Sequence, residues 1–389
     1  IISYFLTDVE ILDASEDESD KWTEFMNNTV DVLTVSQNML RDRMCFHGDV
    51  KAVTRDGVFR LRDLAGKTVD VLSQGGVYRP ADFKSFGRQR LLEVKFSDGR
   101  TVLATPEHRW IAKNCSGKVV TVPTTALRKG YAIERTVAAR PPQDEDFRRG
   151  VRHGFVYGDG SLYNDGQQAA AYFFGAKDAA VLPYFDGCGS PPHPDSTRPG
   201  VTIVNGLPPH YKALPENASS PSYWYGFVCG FLAADGSVDT YGCALLTQKA
   251  KATLDAVAEQ LPRIGMAAGP VRGHVRTAEF VRRDGSADTY VGPMHYVTLL
   301  KRFMLPQDFL IPAHRANFEA NNRPTNYGKY VAVKSVSETG IADEVFCCVE
   351  METHTFVVDQ AVLTGNCYGN AFCSVIVPFR RFLGCKKCG

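Results

Sequence analysis

The stretch LLEVKFSDGRTVLATPEHRWIAK, residues 91–113, decides how this chain is read. Two strand-like runs flank Asp98-Gly99, a dipeptide that favours tight hairpins. The second run ends at Thr105-Pro106-Glu107-His108. Upstream, VKAVTRDGVFRL (50–61) and TVDVLSQGGVYRPADFKSFG (68–87) repeat the pattern, with hairpin signals at Asp56-Gly57 and Gly75-Gly76. From Cys45 to about Arg140 the sequence reads as all-β. That pattern returns from about Tyr330, in YVAVKSVSETG (330–340) and EVFCCVEMETHTFVVDQAVLTGNC (344–367).

The segment between, from about Phe147 to Arg315, is mixed. HGFVYGDGSLYNDG (153–166) resembles CGFLAADGSVDTYG (229–242), an internal repeat that sets Asp159 and Asp235 at equivalent positions. A Pro- and Gly-rich loop, GCGSPPHPDSTRPG (187–200), lies between them. A mixed domain therefore interrupts an all-β one. Residues 1–44 open with an acidic run, Asp13 to Asp20. The spacing of Trp22, Met26, Val30, Leu33 and Leu40 then predicts a helix over 22–44, capped by Ser19 or Asp20.

Composition bounds the function. With 44 Lys+Arg against 43 Asp+Glu the net charge is +1, which argues against wholesale polyanion binding but permits a local basic face. An apolar fraction of 44% is enough for sizeable cores. No run approaches the ~20 apolar residues of a membrane span, and no signal peptide opens the chain. The expectation is a monomeric protein of a reducing, cytoplasmic compartment in a bacterial or phage-infected cell. The first residue is Ile1, so a fragment of a longer reading frame is expected. Eleven cysteines, an odd number crowded toward the C-terminal end, suggest reactive or metal-binding roles before a disulfide framework.

Three places carry chemistry. Cys45 opens the β domain, and a thiol is well suited to attack a backbone carbonyl near neutral pH. Well downstream, Thr105 and His108, three apart at a strand end, can contact one peptide group and protonate a leaving amine. At the far end stands Thr364-Gly365-Asn366-Cys367. An Asn side chain can attack its own carbonyl and cut the chain as a succinimide, and a following Cys can accept an acyl group. Singly, each has a bland reading: a buried cysteine, a surface turn, a chance pair. Their order is what is specific.

In CFHGDVKAVTRDG (45–57), GRTVLATPEHRW (99–110) and VFCCVEMETHTFVVDQAVLTGNC (345–367) the chain resembles an intein, a self-splicing element of the Hint fold. The resemblance runs from Cys45 to Asn366. It implies that Cys45 converts the Met44–Cys45 peptide into a thioester, activated by Thr105 and His108. Cys367 would take over the acyl group, Asn366 would cyclise, and Met44 would end joined to Cys367 without cofactor. Two departures stand out. Gly365 replaces the usual His before the terminal Asn, which leaves His354 as the candidate helper. Cys347 stands where many inteins have Asp, and with Trp110 and Thr364 it resembles the triplet of a rarer class in which an internal Cys attacks first. That class usually lacks a nucleophile at its first position, so Cys45 is favoured, with Cys347 tuning or sharing the acyl group. The bland alternative makes Cys347 and Cys348 ordinary strand residues.

RHGFVYGDGS (152–161) and VCGFLAADGS (228–237) resemble LAGLIDADG homing endonuclease motifs, the first departing at its start. The resemblance implies two helices packed at a pseudo-twofold axis. Asp159 and Asp235 would then hold Mg²⁺ for cleavage of double-stranded DNA, with Lys249 as supporting base or charge stabiliser. The bland alternative is a packed helix pair without activity. The stretch from Asp159 to Asp235 is short for two complete half-domains. Residues 148–315 carry 16 Lys+Arg and 14 Asp+Glu, so phosphates must be neutralised locally, by Arg272, Arg276, Arg282, Arg283, Lys249 and Lys251.

The fold expectation is thus multidomain: an all-β, horseshoe-like Hint splicing domain interrupted by an α+β LAGLIDADG domain. The expected divisions are 1–44 (N-extein), 45–146 (first Hint part), 147–328 (endonuclease), 329–366 (second Hint part) and 367–389 (C-extein). Cys385-Lys386-Lys387-Cys388 is half of a zinc-ribbon signature, and YGNAF with PFRRFL suggests a phage structural protein as host. Competing readings are a free-standing endonuclease, a Hint domain that cleaves without ligating, and a zinc or structural module confined to the tails.

Overall fold

The computed structural model describes residues 45–281, 287–321 and 327–366. The expected helix over 22–44, the Cys385/Cys388 half-site and Cys367 lie outside the described residues.

The first block of chain supplies nine strands: β1 (Phe46–His47), β2 (Lys51–Thr54), β3 (Gly57–Arg60), β4 (Thr68–Ser73), β5 (Val77–Phe96), β6 (Thr101–Ala104), β7 (Arg109–Lys113), β8 (Val119–Pro123) and β9 (Ala132–Glu134). All three hairpin signals mark turns, and the glycines show why. Gly75 and Gly76 at φ +80° and +75° join β4 to β5, and Gly99 at φ +90° joins β5 to β6. Leu92, Val94 and Phe96 are buried in alternation, as a strand with one covered face requires.

The middle block has two equivalent halves. Helix α1 (Glu145–Asp159) is followed by β10 (Gly160–Tyr163), β11 (Gln168–Phe174), β12 (His193–Pro194) and β13 (Val201–Leu207), paired in the order β10-β11-β13-β12. Helix α2 (Pro221–Asp235) is followed by β14 (Gly236–Val238), β15 (Ala244–Gln248), β16 (Arg272–Val281) and β17 (Ala287–Leu299), in the matching order β14-β15-β17-β16. Helix α3 (Lys251–Gln260) lies between β15 and β16, and α4 (Pro312–Asn321) follows β17. The expectation that the repeat is spaced too closely for complete halves is corrected. Each half completes a helix and a four-stranded sheet, between Glu145 and Leu207 in the first and between Pro221 and Leu299 in the second.

The chain then returns to the first sheet as β18 (Tyr330–Glu350), β19 (Thr355–Val358) and β20 (Val362–Gly365). This twelve-stranded antiparallel sheet runs β20-β19-β2-β4-β5-β6-β1-β18-β9-β7-β8, with β3 on β2. The long strand β18 pairs in turn with β9, β5 and β1, and three register shifts along its β5 ladder let it bend. The all-β part is therefore one sheet built from both ends of the described chain, interrupted by an α+β part. Each has its own apolar core, one around Phe46, Phe83, Phe96 and Trp110, the other around Phe155, Phe227, Phe231 and Leu254.

Candidate functional sites

Cys45 and Asn366 lie at the two ends of the described chain, and the strands that border them, β1 and β20, belong to one sheet. Phe46 pairs with Ala104 at the end of β6, so the next residue, Thr105, faces the peptide of Cys45. The Cys45 N–H donates to Thr105 Oγ1 at 3.0 Å, and the Thr105 N–H donates back to the Cys45 carbonyl at 2.9 Å. The nitrogen held by Thr105 belongs to the Met44–Cys45 peptide. Residues 105–108 form a turn, closed by His108 N–H on the Thr105 carbonyl at 3.1 Å. The His108 ring lies 4.0 Å from Phe46 and 5.1 Å from Trp110, and its Nε2 sits 2.6 Å from Thr364 Oγ1. Trp110 is fixed through Nε1, which donates to Thr124 Oγ1 at 3.0 Å. A link thus runs from the Cys45 side of the sheet to β20, which ends next to Asn366.

Asn366 is held by main-chain acceptors. Its N–H donates to the His354 carbonyl at 2.9 Å, and its Nδ2 donates to the Glu350 carbonyl at 2.8 Å. Its Oδ1 accepts no hydrogen bond among the described residues. His354 adopts φ +55°, the left-handed region, in the turn between β18 and β19. Cys45, Thr105, His108, Thr364 and Asn366 are all fully buried.

Cys347 is also fully buried. Phe46 pairs with Phe346 and His47 with Val345, so continuing this antiparallel register by one residue sets Cys45 opposite Cys347. Opposed residues in such a ladder have Cα atoms about 4.5–5.5 Å apart. Burial and Cys347 raise the Cys348 thiol well above its ordinary pKa.

The second site is the helix pair. Asp144 caps α1 through the Phe147 N–H and Ser220 caps α2 through the Tyr223 N–H, at equivalent places in the repeat. The helices touch backbone to backbone. A Cβ on Gly150 or Gly154 would come within 2.1 or 2.0 Å of the carbonyls of Tyr223 and Phe227. Gly226 and Gly230 would meet the carbonyls of Phe147 and Val151 at 2.0 and 2.2 Å. This approach brings the C-terminal ends of both helices together, and a Cβ on Gly158 would lie 3.2 Å from the Asp235 carboxylate.

Burial raises the Asp159 pKa to about 6, helped by the Asp235 and Asp178 carboxylates and opposed by Lys177 and Lys212. Burial also raises Asp235 against the same two lysines. Lys212 Nζ donates to the carbonyls of Val156, Tyr157 and Gly160 at 3.1, 2.5 and 2.9 Å, closing the end of α1. Lys177 Nζ lies 3.5 Å from the Ala234 carbonyl at the end of α2.

The chain is similar to solved inteins and to a LAGLIDADG domain. A variant of the Ssp DnaB mini-intein is 11% identical, covering 82% of this chain and 98% of that one, with a TM-score of 0.29. The N-terminal LAGLIDADG domain of DUF199/WhiA is 12% identical over 46% of this chain and 86% of that one, with a TM-score of 0.28. A gp41-1 intein is 16% identical over 23% of this chain and 68% of that one, with a TM-score of 0.19. At such scores these likenesses decide nothing, and the fold is read from its own ladders and helix contacts. A curated relative, the ribonucleoside-diphosphate reductase large subunit of Invertebrate iridescent virus 6, is 24% identical over 360 residues, 86% of this chain. The chain spans about a third (36%) of the length of that relative. No family model matches the chain.

The geometry sorts the residues singled out from sequence. Cys45, Thr105, His108, Trp110, Cys347, Thr364, His354 and Asn366 are drawn from distant parts of the chain into one sheet. His354 reaches Asn366 through its backbone carbonyl. Asp159 and Asp235 end the paired helices. Lys249 has an exposed side chain, and its N–H bonds the neighbouring Gln248 Oε1. Lys177 and Lys212 act on the carboxylate pair. Sequence reading missed both, because they lie in connecting segments outside the repeat. It also missed Glu350, whose carbonyl holds Asn366.

Proposed function

We propose that residues 45–366 excise themselves from the longer chain and join its flanks. The observation that carries this reading is the convergence of both junctions in one sheet: the Cys45 nitrogen is held by Thr105, the Asn366 side chain is held by Glu350, and His108 bridges the two sides through Thr364. Cys45 Sγ attacks the Met44 carbonyl carbon and the peptide nitrogen leaves, protonated, to give a thioester. The Cys367 thiolate then takes the acyl group and frees Cys45. Asn366 Nδ2 closes on its own carbonyl carbon, breaking the bond to Cys367. The amine of Cys367 finally displaces its own sulfur, leaving a normal Met44–Cys367 peptide. Positioning within one fold supplies much of the rate.

Intact mass of the expressed chain tests this. The expected products are a free 45–366 segment and a joined 1–44/367–389 peptide, absent in Asn366→Ala. A wild-type chain that stays at full mass in reducing buffer would sink the reading. A second reading, first attack by Cys347, is favoured by the register that sets Cys347 opposite Cys45. Joined product that survives Cys45→Ala but not Cys347→Ala would establish it.

The inserted domain is proposed to cut double-stranded DNA. Asp159 and Asp235 suit Mg²⁺, which is held by one or two carboxylates and completes its shell with water and phosphate oxygens. When bound, the ion would supply charge stabilisation and an activated water. The two carboxylates would hold it, while Lys177 and Lys212 keep the paired acids from repelling one another unscreened. A duplex encoding residues 36–44 joined directly to 367–375, the uninterrupted junction, is the substrate to try. Cleavage that requires Mg²⁺ and disappears in Asp235→Asn is expected, and an intact duplex would sink this part. The viral relative suggests a host. Its alignment covers 86% of the chain, more than residues 45–366 make up, so the likeness reaches into the flanks. Flanks from a ribonucleotide reductase large subunit fit this better than a phage structural protein.

A further inference from the structure

Glu350 is the most heavily hydrogen-bonded carboxylate near either junction, and the splicing steps above give its side chain no task. It is fully buried at the end of β18. No cation is paired with it among the described residues, and its charge is met by local donors alone. Oε1 accepts from the Glu352 N–H at 2.6 Å and the Thr353 N–H at 3.2 Å. Oε2 accepts from the Thr353 N–H at 3.0 Å, the Thr353 hydroxyl at 2.7 Å and the Thr355 N–H at 3.2 Å. Ser73 Oγ braces the same cluster, 2.6 Å from Thr353 Oγ1 and 2.9 Å from Thr355 Oγ1. Burial alone would raise the Glu350 pKa, but these donors win and hold the carboxyl below its ordinary value. It is therefore ionised at neutral pH.

The turn so wrapped, residues 351–354, is the one that grips Asn366. Both acceptors on Asn366 belong to it or border it: the Glu350 carbonyl on Nδ2 and the His354 carbonyl on the main-chain N–H. His354 sits at φ +55°, a conformation that a non-glycine residue keeps only when its surroundings enforce it. The carboxylate fixes the residues on both sides of His354 through the Thr353 and Thr355 amides.

We propose that Glu350 is the positioning residue for Asn366 cyclisation, its carboxylate locking the 351–354 turn so that the Glu350 carbonyl holds the Asn366 side chain while the His354 carbonyl holds its main-chain N–H. This rests on the splicing reading above. In that step the Nδ2–C bond forms, the C–N bond to Cys367 breaks, and a proton passes from Nδ2 to the departing amine. Glu350 takes no proton. It fixes the approach of Nδ2, where small misplacements are expensive, and so does part of what the histidine absent at Gly365 would do.

The test uses the full chain and follows two cleavages by intact mass. One is release of 1–44 by excess dithiothreitol, which reports the Cys45 thioester. The other is release of 367–389, which reports Asn366. Glu350→Ala should slow the second at least tenfold and leave the first within twofold. Glu350→Gln keeps one acceptor oxygen and should fall between. Thr353→Val removes one donor at nearly constant volume and should slow the second cleavage threefold or more. It decides the matter if Glu350→Ala does not fold. Equal loss of both cleavages, or an unchanged second cleavage, overturns the assignment. A wild-type chain that performs neither overturns the splicing reading and the assignment with it.

Discussion

At the scale of single residues, the Thr105 hydroxyl and the two paired aspartates give the sharpest expectations. Thr105→Val keeps the shape of the side chain but strands the buried Cys45 N–H. An unmade hydrogen bond of this kind costs about 1–3 kcal/mol, so thiol-induced release of 1–44 should slow roughly tenfold to a hundredfold. Release of 367–389 should change little, and equal effects at both ends would count against the assignment. Asp159 behaves differently because burial and its neighbours raise its pKa to about 6 from an ordinary 3.8. An acid whose folded pKa is raised stabilises the fold fully below the ordinary value and loses that contribution as pH rises through about 6. Asp159→Asn mimics the protonated form at every pH. It should therefore match wild type near pH 4. At pH 7 without metal it should be more stable by about 1–2 kcal/mol, once solvent screening of the half-buried carboxylate is allowed for. Urea melts across that range check this, and millimolar Mg²⁺ should narrow the gap at pH 7. A gap that does not grow with pH would remove the strained-pair picture. These residues were legible in different degrees. Cys45, Thr105, His108, Asn366 and both aspartates stand in ordered motifs. Lys177, Lys212 and Glu350 act through backbone carbonyls and amides, and such partners leave no trace in residue spacing.

At the scale of elements, the α1–α2 pair is held together by what is missing from four glycines. Two helices whose Cβ positions would fall 2.0–2.2 Å from the opposite carbonyls cannot admit a methyl group without moving apart. Gly154→Ala and Gly230→Ala occupy equivalent places in the two halves. Each should destabilise by about 1–3 kcal/mol or more and lower the melting temperature by several degrees, and the two effects should be alike. A tolerated alanine at either site would mean that the helices stand farther apart than described. Two of the four, Gly154 and Gly230, were visible in the sequence as part of a repeat, and the pairing of the two helices followed from it. The matching four-stranded sheets did not. Strands as short as β12 and β14 have no periodicity to read, and β13 pairs directly with β11 while β12 takes the edge. In the large sheet the hairpins were legible from Asp-Gly and Gly-Gly pairs. The pairing of β1 with β18, beyond the whole inserted domain, was not, because no local signal specifies so distant a partner.

At the scale of the molecule, the question is how a sheet interrupted by an entire domain keeps its two ends in register. Polar side chains of the inserted part answer it by completing the edge of the β2–β3 hairpin. Asn217 Oδ1 accepts from the Val58 N–H at 2.9 Å and its Nδ2 donates to the Val58 carbonyl at 2.9 Å, as a neighbouring strand would. Arg263, almost fully buried, donates to the carbonyls of Arg55, Asn217 and Ser219 at 2.8, 3.1 and 3.1 Å. Lys51 on β2 pairs with Glu259 on α3 at 2.6 Å. Apolar contacts join the same parts, with Ala267 and Leu300 of the insert against Ala361 beside β20. The insert thus grips the β2–β3 hairpin, β2 pairs with β19, and β19 pairs with β20, which ends next to Asn366. Asn217→Ala leaves both main-chain groups of Val58 without their partner. It should cost about 1–3 kcal/mol. Calorimetry of the wild-type chain should show the sheet and the insert melting in one transition, because buried polar bonds couple them. Asn217→Ala combined with Arg263→Met should split that transition in two, with the helix-pair domain keeping the higher or the lower step according to its own core. If the double variant still melts as one unit at the wild-type temperature, the apolar seam at Ala267, Leu300 and Ala361 carries the coupling. The polar grip on the β2–β3 hairpin would then be incidental to how the two halves of the sheet find each other.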